Sequence, residues 1–247
     1  MESLPMTRAN YLQFLQMGML PELFHLNTED MRRNYVSAVK DTVMLRDIVR
    51  RYNVKDPQLL EDLFRYLVNN AGRLVSVSNI VNYFKSQGRK TNYETLSSYI
   101  SYLGKAFLMH KAERYHIAGK ELLSGNSKYY SNDLAYYNYL YRGFAYGMGS
   151  LLENAIYLDM RRKGWLTYVG VYGQSEVDFV GIKGEQKIYV QVCWEMAGGE
   201  ETAKREYAPL LKIADQYRKV VVTLDEIRFP NNNGIEHLFP WEFCAIL

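Results

Sequence analysis

Apolar residues near the start of the chain recur at spacings of three and four. Between Met31 and Arg51 they fall at Tyr35, Val36, Val39, Val43, Met44, Ile48 and Val49, one stripe of an amphipathic helix. Residues 7–51 therefore read as helical, with Asn27-Thr28-Glu29-Asp30 supplying a cap and first-turn acids that suit the helix dipole. The other face carries Arg32, Arg33, Lys40, Arg46, Arg50 and Arg51 and reads as solvated surface. A second run follows Asp56-Pro57, a cap with proline at the first helical position, and buries Leu59, Leu60, Leu63, Phe64, Leu67 and Val68. Ser76-Val77-Ser78 opens a short helix that stops at Gly88. Thr91-Asn92-Tyr93-Glu94 has the form of a capping box and starts a third helix through Leu96, Tyr99, Ile100 and Leu103. The period then changes to alternation at 107–112 and 128–130, around a polar stretch with Gly119 and Gly125. Three helices followed by a hairpin is the winged helix-turn-helix pattern.

Further on, 150–162 reads as a helix ended by Gly164, and 166–171, 177–182 and 187–194 read as strands. Residues 200–217 form an amphipathic helix, 219–224 a buried strand, and 235–247 a terminal helix or strand. The expected fold class is therefore mixed α+β and α/β in three parts. A helical segment spans 1–55, a winged-helix-like domain 56–146, and an α/β domain 147–247, with the boundary within 143–149.

Charge separates these parts. Residues 76–146 hold 9 basic and 4 acidic groups, whereas 147–247 hold 11 basic and 14 acidic. A basic middle and an acidic end suit different partners. The 2 cysteines, Cys193 and Cys244, sit in apolar contexts and read as buried thiols of a reducing compartment. No secretion signal and no apolar stretch of membrane-spanning length are evident, so the expected location is the cytoplasm, with no membrane partner. The 4 histidines show no metal-ligand spacing, which argues against zinc.

Two short apolar strands in the last part carry the chemistry. Ser175-Glu176-Val177-Asp178-Phe179-Val180 holds an acid, and Tyr189-Val190-Gln191-Val192-Cys193-Trp194 holds an amide, downstream of Glu153 in a helix. The order helix, three strands, helix, strand resembles the restriction-endonuclease-like fold. The resemblance implies a site in which Glu153, Asp178 and Gln191 hold Mg²⁺, with weak binding because Gln191 is neutral. It also places Cys193 where such nucleases carry a lysine, and makes Lys204 on the next helix the substitute cation. Equally, Asp178 could be partnered by Lys187 or a backbone amide, Gln191 could satisfy buried backbone groups, and Glu153 could cap or pair on its own helix.

A wider resemblance runs along the chain. Residues 11–23, with their Gly18-Met19-Leu20-Pro21-Glu22 turn, are followed by Asp41-Thr42-Val43-Met44-Leu45-Arg46-Asp47-Ile48 and by Lys128-Tyr129-Tyr130-Ser131-Asn132-Asp133. With Leu152-Glu153-Asn154, Glu176-Val177-Asp178-Phe179 and Tyr189-Val190-Gln191-Val192 they resemble the C-terminal region of bacterial AAA-type ATP-binding proteins. That resemblance implies an ATPase module working in cis or in trans. No phosphate-cradling Gly-x-x-x-x-Gly-Lys-Ser/Thr occurs here, so no cofactor is expected in this chain beyond weak Mg²⁺, and no ATP. The leading expectation is an accessory module that binds double-stranded DNA, with an inactive nuclease-like domain. Lys85, Arg89, Lys90, Lys111, Arg114 and Lys120 would meet phosphates, and Asn92, Tyr93, Ser97 and Ser98 would reach base edges. The alternatives are a protein-interaction module that regulates the ATPase, and an active Mg²⁺-dependent endonuclease.

Overall fold

The computed structural model describes residues 7–141, 147–197 and 199–247; residues 143–146 of the expected boundary lie outside these. The chain divides into two compact units, Gln16–Ala112 with Gly125–Tyr146, and Met1–Leu15 with Glu113–Ser124 and Gly147–Leu247.

In the first unit, the end of helix α1 (Arg8–Met17) leads into a short 3₁₀ turn, Pro21–Phe24. Helix α2 (Glu29–Thr42) is capped by the Thr28 hydroxyl, which accepts the Met31 N–H at 3.2 Å, and runs on as a π-wound segment, Val43–Arg50. Its basic face is not wholly solvated. Lys40 is only 5% exposed and its ammonium pairs with Glu61 at 2.6 Å and Asp41 at 3.1 Å, the partners a buried charge requires. Helices α3 (Pro57–Asn69) and α4 (Val77–Ser86) start on Asp56 and Ser76, whose side chains accept the N–H groups of Leu59 and Asn79. Helix α5 (Tyr93–Lys105) begins one residue later than the capping-box pattern suggests. Asn92, not Thr91, is the cap, and it accepts the Thr95 N–H at 2.8 Å, while the Thr91 hydroxyl is buried without a partner among the described residues. Strands β1 (Met109–His116) and β2 (Glu121–Ser131) follow, each contributing residues to both units. Val75, between α3 and α4, forms an antiparallel bridge with Ser127 of β2.

Two of the sequence fragments meet in this unit. The Asp133 carboxylate accepts the Met19 N–H at 3.0 Å and the Ala135 N–H at 2.8 Å, and also bonds the Leu20 amide. Gly18 makes the approach feasible: its φ is +84°, and a Cβ there would lie 2.3 Å from Asp133 Oδ1. Burial pushes the Asp133 carboxyl up to about 6, against the opposing pull of the three amides.

The second unit has helix α6 (Met148–Arg162), strands β3 (Leu166–Tyr172), β4 (Ser175–Lys183) and β5 (Gln186–Cys193), helix α7 (Glu200–Leu211) and strand β6 (Arg218–Thr223). Strand β7 (Ile235–Leu238) and helix α8 (Pro240–Ile246) close the chain. Helix α7 stops short of the expected residue 217. Pro209 withholds a helical N–H, and Asp215 instead accepts from the Tyr189 hydroxyl and the Tyr217 amide in a turn. Among the described residues one mixed sheet has the order β2-β1-β3-β4-β5-β6-β7. β4 runs antiparallel to both of its neighbours, β3 and β5, while β5, β6 and β7 are parallel. Val220, Val221 and Val222 are fully buried, as expected where a parallel strand is covered on both faces. Helix α6 packs on the sheet through Tyr157, whose ring lies 5.9 Å from that of Phe179. Gly181 lets it approach, since a Cβ there would meet the Met160 methyl at 2.6 Å. Among the described residues no helix is long and apolar enough to cross a membrane.

Candidate functional site

Strand β4 carries an extra residue against β3: Gly170 faces Val177 and Tyr168 faces Val180. The β4–β5 ladder consequently ends at the pair Phe179 and Val190. Past that point side chains replace the ladder bonds. Asp178 Oδ2 accepts the Val192 N–H at 2.9 Å, and Gln191 Oε1 lies 3.4 Å from the Asp178 N–H. The Gln191 amide nitrogen donates to Glu206 on α7 at 3.1 Å, and Glu206, only 7% exposed, is paired with Arg205. This orientation of the Gln191 amide is fixed from both ends. Exchanging its O and N would set oxygen against a carboxylate and nitrogen against an N–H.

The structure thus joins Asp178 and Gln191 to a residue not foreseen, Glu206. A signal for it was available, because Glu206 precedes Leu210 by four and so stands on the apolar stripe of α7. Lys204 pairs with Glu200 at 3.0 Å on the same helix, with its side chain 73% exposed. Glu153 is half-buried on α6. Burial pushes the Cys193 thiol up to about 11, helped by Glu206, so it stays protonated; its sulfur lies 3.3 Å from the Glu195 carbonyl, to which the thiol donates. Mg²⁺ requires converging hard oxygen donors. Here one Asp178 oxygen is held by a backbone amide and Gln191 turns nitrogen toward the nearest acid. Among the described residues no three His, Cys, Asp or Glu side chains form a metal-holding group.

Beyond the end of β6 lies a second buried polar cluster. Asp225 accepts the N–H groups of Met196 and Ala197, both at 2.9 Å, and the Thr223 hydroxyl at 2.7 Å. His237 Nδ1 accepts the Phe229 N–H at 3.0 Å, which assigns the ring proton to Nε2, 2.7 Å from Thr223 Oγ1. Burial holds His237 below its ordinary value.

The basic candidates separate between the units. Lys85, Lys90, Asn92, Tyr93 and Ser98 are exposed on α4, α5 and their connection, with Ser97 half-buried, and Lys111 is exposed on β1 in the same unit. Arg89 instead turns onto Asp62 of α3, and Asn92 spends its side-chain oxygen on the cap. Arg114 and Lys120 belong to the other unit, where Arg114 Nε is buried without a partner among the described residues.

Residues 8–146 match a family described as a domain of unknown function, DUF8612. The chain belongs to this family. It is 31% identical over 229 residues to an uncharacterised protein of Haemophilus influenzae, covering 93% of this chain and 56% of that one. It is 26% identical over 230 residues to an uncharacterised protein of Methanocaldococcus jannaschii, covering 92% and 50% respectively. This DUF8612 chain therefore spans about half the length of the curated relatives it matches. None of these matches is named as an ATPase. The crystal structure of protein VC1899 from Vibrio cholerae aligns with 98% of this chain and 59% of its own at 13% identity, with a TM-score of 0.24, too low to support any inference.

Proposed function

We propose that this chain is a non-catalytic DNA-binding module. The observation that carries this reading is the α4–α5 pair, with Lys85 and Lys90 exposed at their junction and Tyr93, 53% exposed, opening α5. The Val75–Ser127 bridge supports a winged-helix reading, because it adds a short strand between the first two helices and ties it to the hairpin. On that reading α5 enters the major groove, and Lys85, Lys90 and Lys111 neutralise phosphates. The order α6, β3, β4, β5, α7, β6 supports an endonuclease-like origin for the second unit. Its Asp178–Gln191–Glu206 network supports a structural rather than hydrolytic role there. An ATP-hydrolysing module, in cis or as a separate chain, is the partner we expect, and the uncovered half of the relatives leaves room for one.

The test is fluorescence anisotropy of a labelled DNA duplex at low and near-physiological salt. Saturable binding that weakens with salt is expected. In the Lys85→Glu, Lys90→Glu double variant the slope of log affinity on log salt should fall by about 2, since each phosphate left without its lysine removes ~0.9. No binding at low salt would overturn the reading and turn attention to protein docking through exposed Tyr93 and Phe107.

A further inference from the structure

Helices α3 and α4 leave a groove between them of about 440 Å³, the size of a small-molecule site, lined by Arg65, Tyr66, Asn69, Tyr83, Gln87 and Arg89 among others. We propose that this groove binds a nucleobase carried on a phosphate. Its wall is aromatic. The Tyr66 and Tyr83 rings are 4.7 Å apart, and Phe84 stands edge-on to Tyr83 at 5.2 Å. Tyr83 is 44% exposed, so part of this aromatic surface meets solvent where a ring could stack.

The polar lining selects among flat ligands. Asn69, Asn70 and Gln87 bring three carboxamides to the groove. Asn70 already donates to the Tyr66 carbonyl at 2.8 Å, whereas Asn69 Oδ1 is buried and accepts no hydrogen bond from the described residues. A small rotation of the Asn69 amide into the groove would exchange that unmade bond for one to a ligand donor. The aromatic ring of a peptide side chain has few groups to offer, and would leave the carboxamides it covers unpaired at a cost. A nucleobase edge carries donors and acceptors in the plane of the ring, as carboxamides require. Arg65 and Arg89 then outweigh Asp62, the acid that Arg89 already engages, and favour an anionic substituent. None of these residues is among those proposed above to meet duplex DNA, so the two readings fail separately.

The base could belong to a free nucleotide or to an unpaired position in a strand. Saturation-transfer NMR on the full chain separates these sources, using AMP, GMP, CMP and UMP in turn and then a short single-stranded DNA oligonucleotide. Transfer to base ring protons is expected from at least one mononucleotide, or from the oligonucleotide alone if the base must be strand-borne. Tyr83→Ala should weaken it by about 5- to 150-fold, the usual loss of one base stack, and Tyr83→Phe should restore it. Tyr83 is half-exposed, so an unchanged melting curve confirms that the variant folds. Absence of transfer from all five probes, or equal transfer in Tyr83→Ala, would overturn the proposal even if duplex binding stands.

Discussion

Replacing Gly18 with alanine tests the junction between two distant sequence fragments. The backbone there has φ +84°, which costs a residue with a Cβ about 1–2 kcal/mol. The added methyl would lie 2.3 Å from Asp133 Oδ1 and 2.7 Å from the Ala135 nitrogen, so something must shift. Displacing packed atoms costs about 1–3 kcal/mol, and freeing a buried amide from its carboxylate about 1–3 kcal/mol more. The expected loss is therefore about 3–8 kcal/mol, comparable with the whole stability of many domains. Gly88→Ala is the matched control in the same unit, with φ +76° and nothing within 4 Å of the added carbon. It should lose only the backbone share, about 1–2 kcal/mol. Urea unfolding followed by far-ultraviolet circular dichroism reports both. Equal losses in the two variants would refute the clamp and leave backbone conformation as the sole effect.

The clamp also titrates. Asp133 has its folded value raised to about 6 from 3.8, so its protonated form favours the native state. Its contribution is fully present below 3.8 and lost as pH rises through 6; Asp133→Asn should flatten that part of a stability–pH profile measured by urea midpoints. His237 behaves oppositely, because its folded value lies below 6.5. Its contribution is present above 6.5 and disappears as pH falls through the lower folded value, when a second ring proton would expel the Phe229 N–H; imidazole NMR should find it less than half protonated at pH 6.5. Asp178→Ala should cost about 1–3 kcal/mol by leaving the Val192 amide without its acceptor, with an unfolding midpoint that does not respond to Mg²⁺. A midpoint raised by Mg²⁺ in the unaltered protein and not in this variant would show a metal site after all.

Much of the secondary structure was legible because it rests on local chemistry. The stripe of Leu59, Leu60, Leu63 and Phe64 needs only a helical period, and the Asp56-Pro57 start needs only an acceptor and a fixed φ. Errors arose where a long-range partner overrides the local signal. Lys40 reads as one more solvated cation until Glu61, on another helix, draws it inward. Nor does the sequence disclose that Arg89, expected at phosphates, also engages Asp62, 27 residues away. The same reason governs the nuclease-like site. Asp178 and Gln191 have the identities and spacing of ligands, but spacing does not disclose that β4 bulges at this point. Once it does, Val192 presents a partly buried N–H that donates to a side chain instead of to the β4 backbone, and that donor competes with any cation for the Asp178 carboxylate. An oxygen committed to a backbone amide holds the fork between β4 and β5 closed, and the nearby thiol supplies no cation to reopen it. Placing lysine at position 193 would therefore put a positive charge near Glu206 without freeing Asp178. Binding a metal through this carboxylate would also require a strand fork held open by something other than the acid itself.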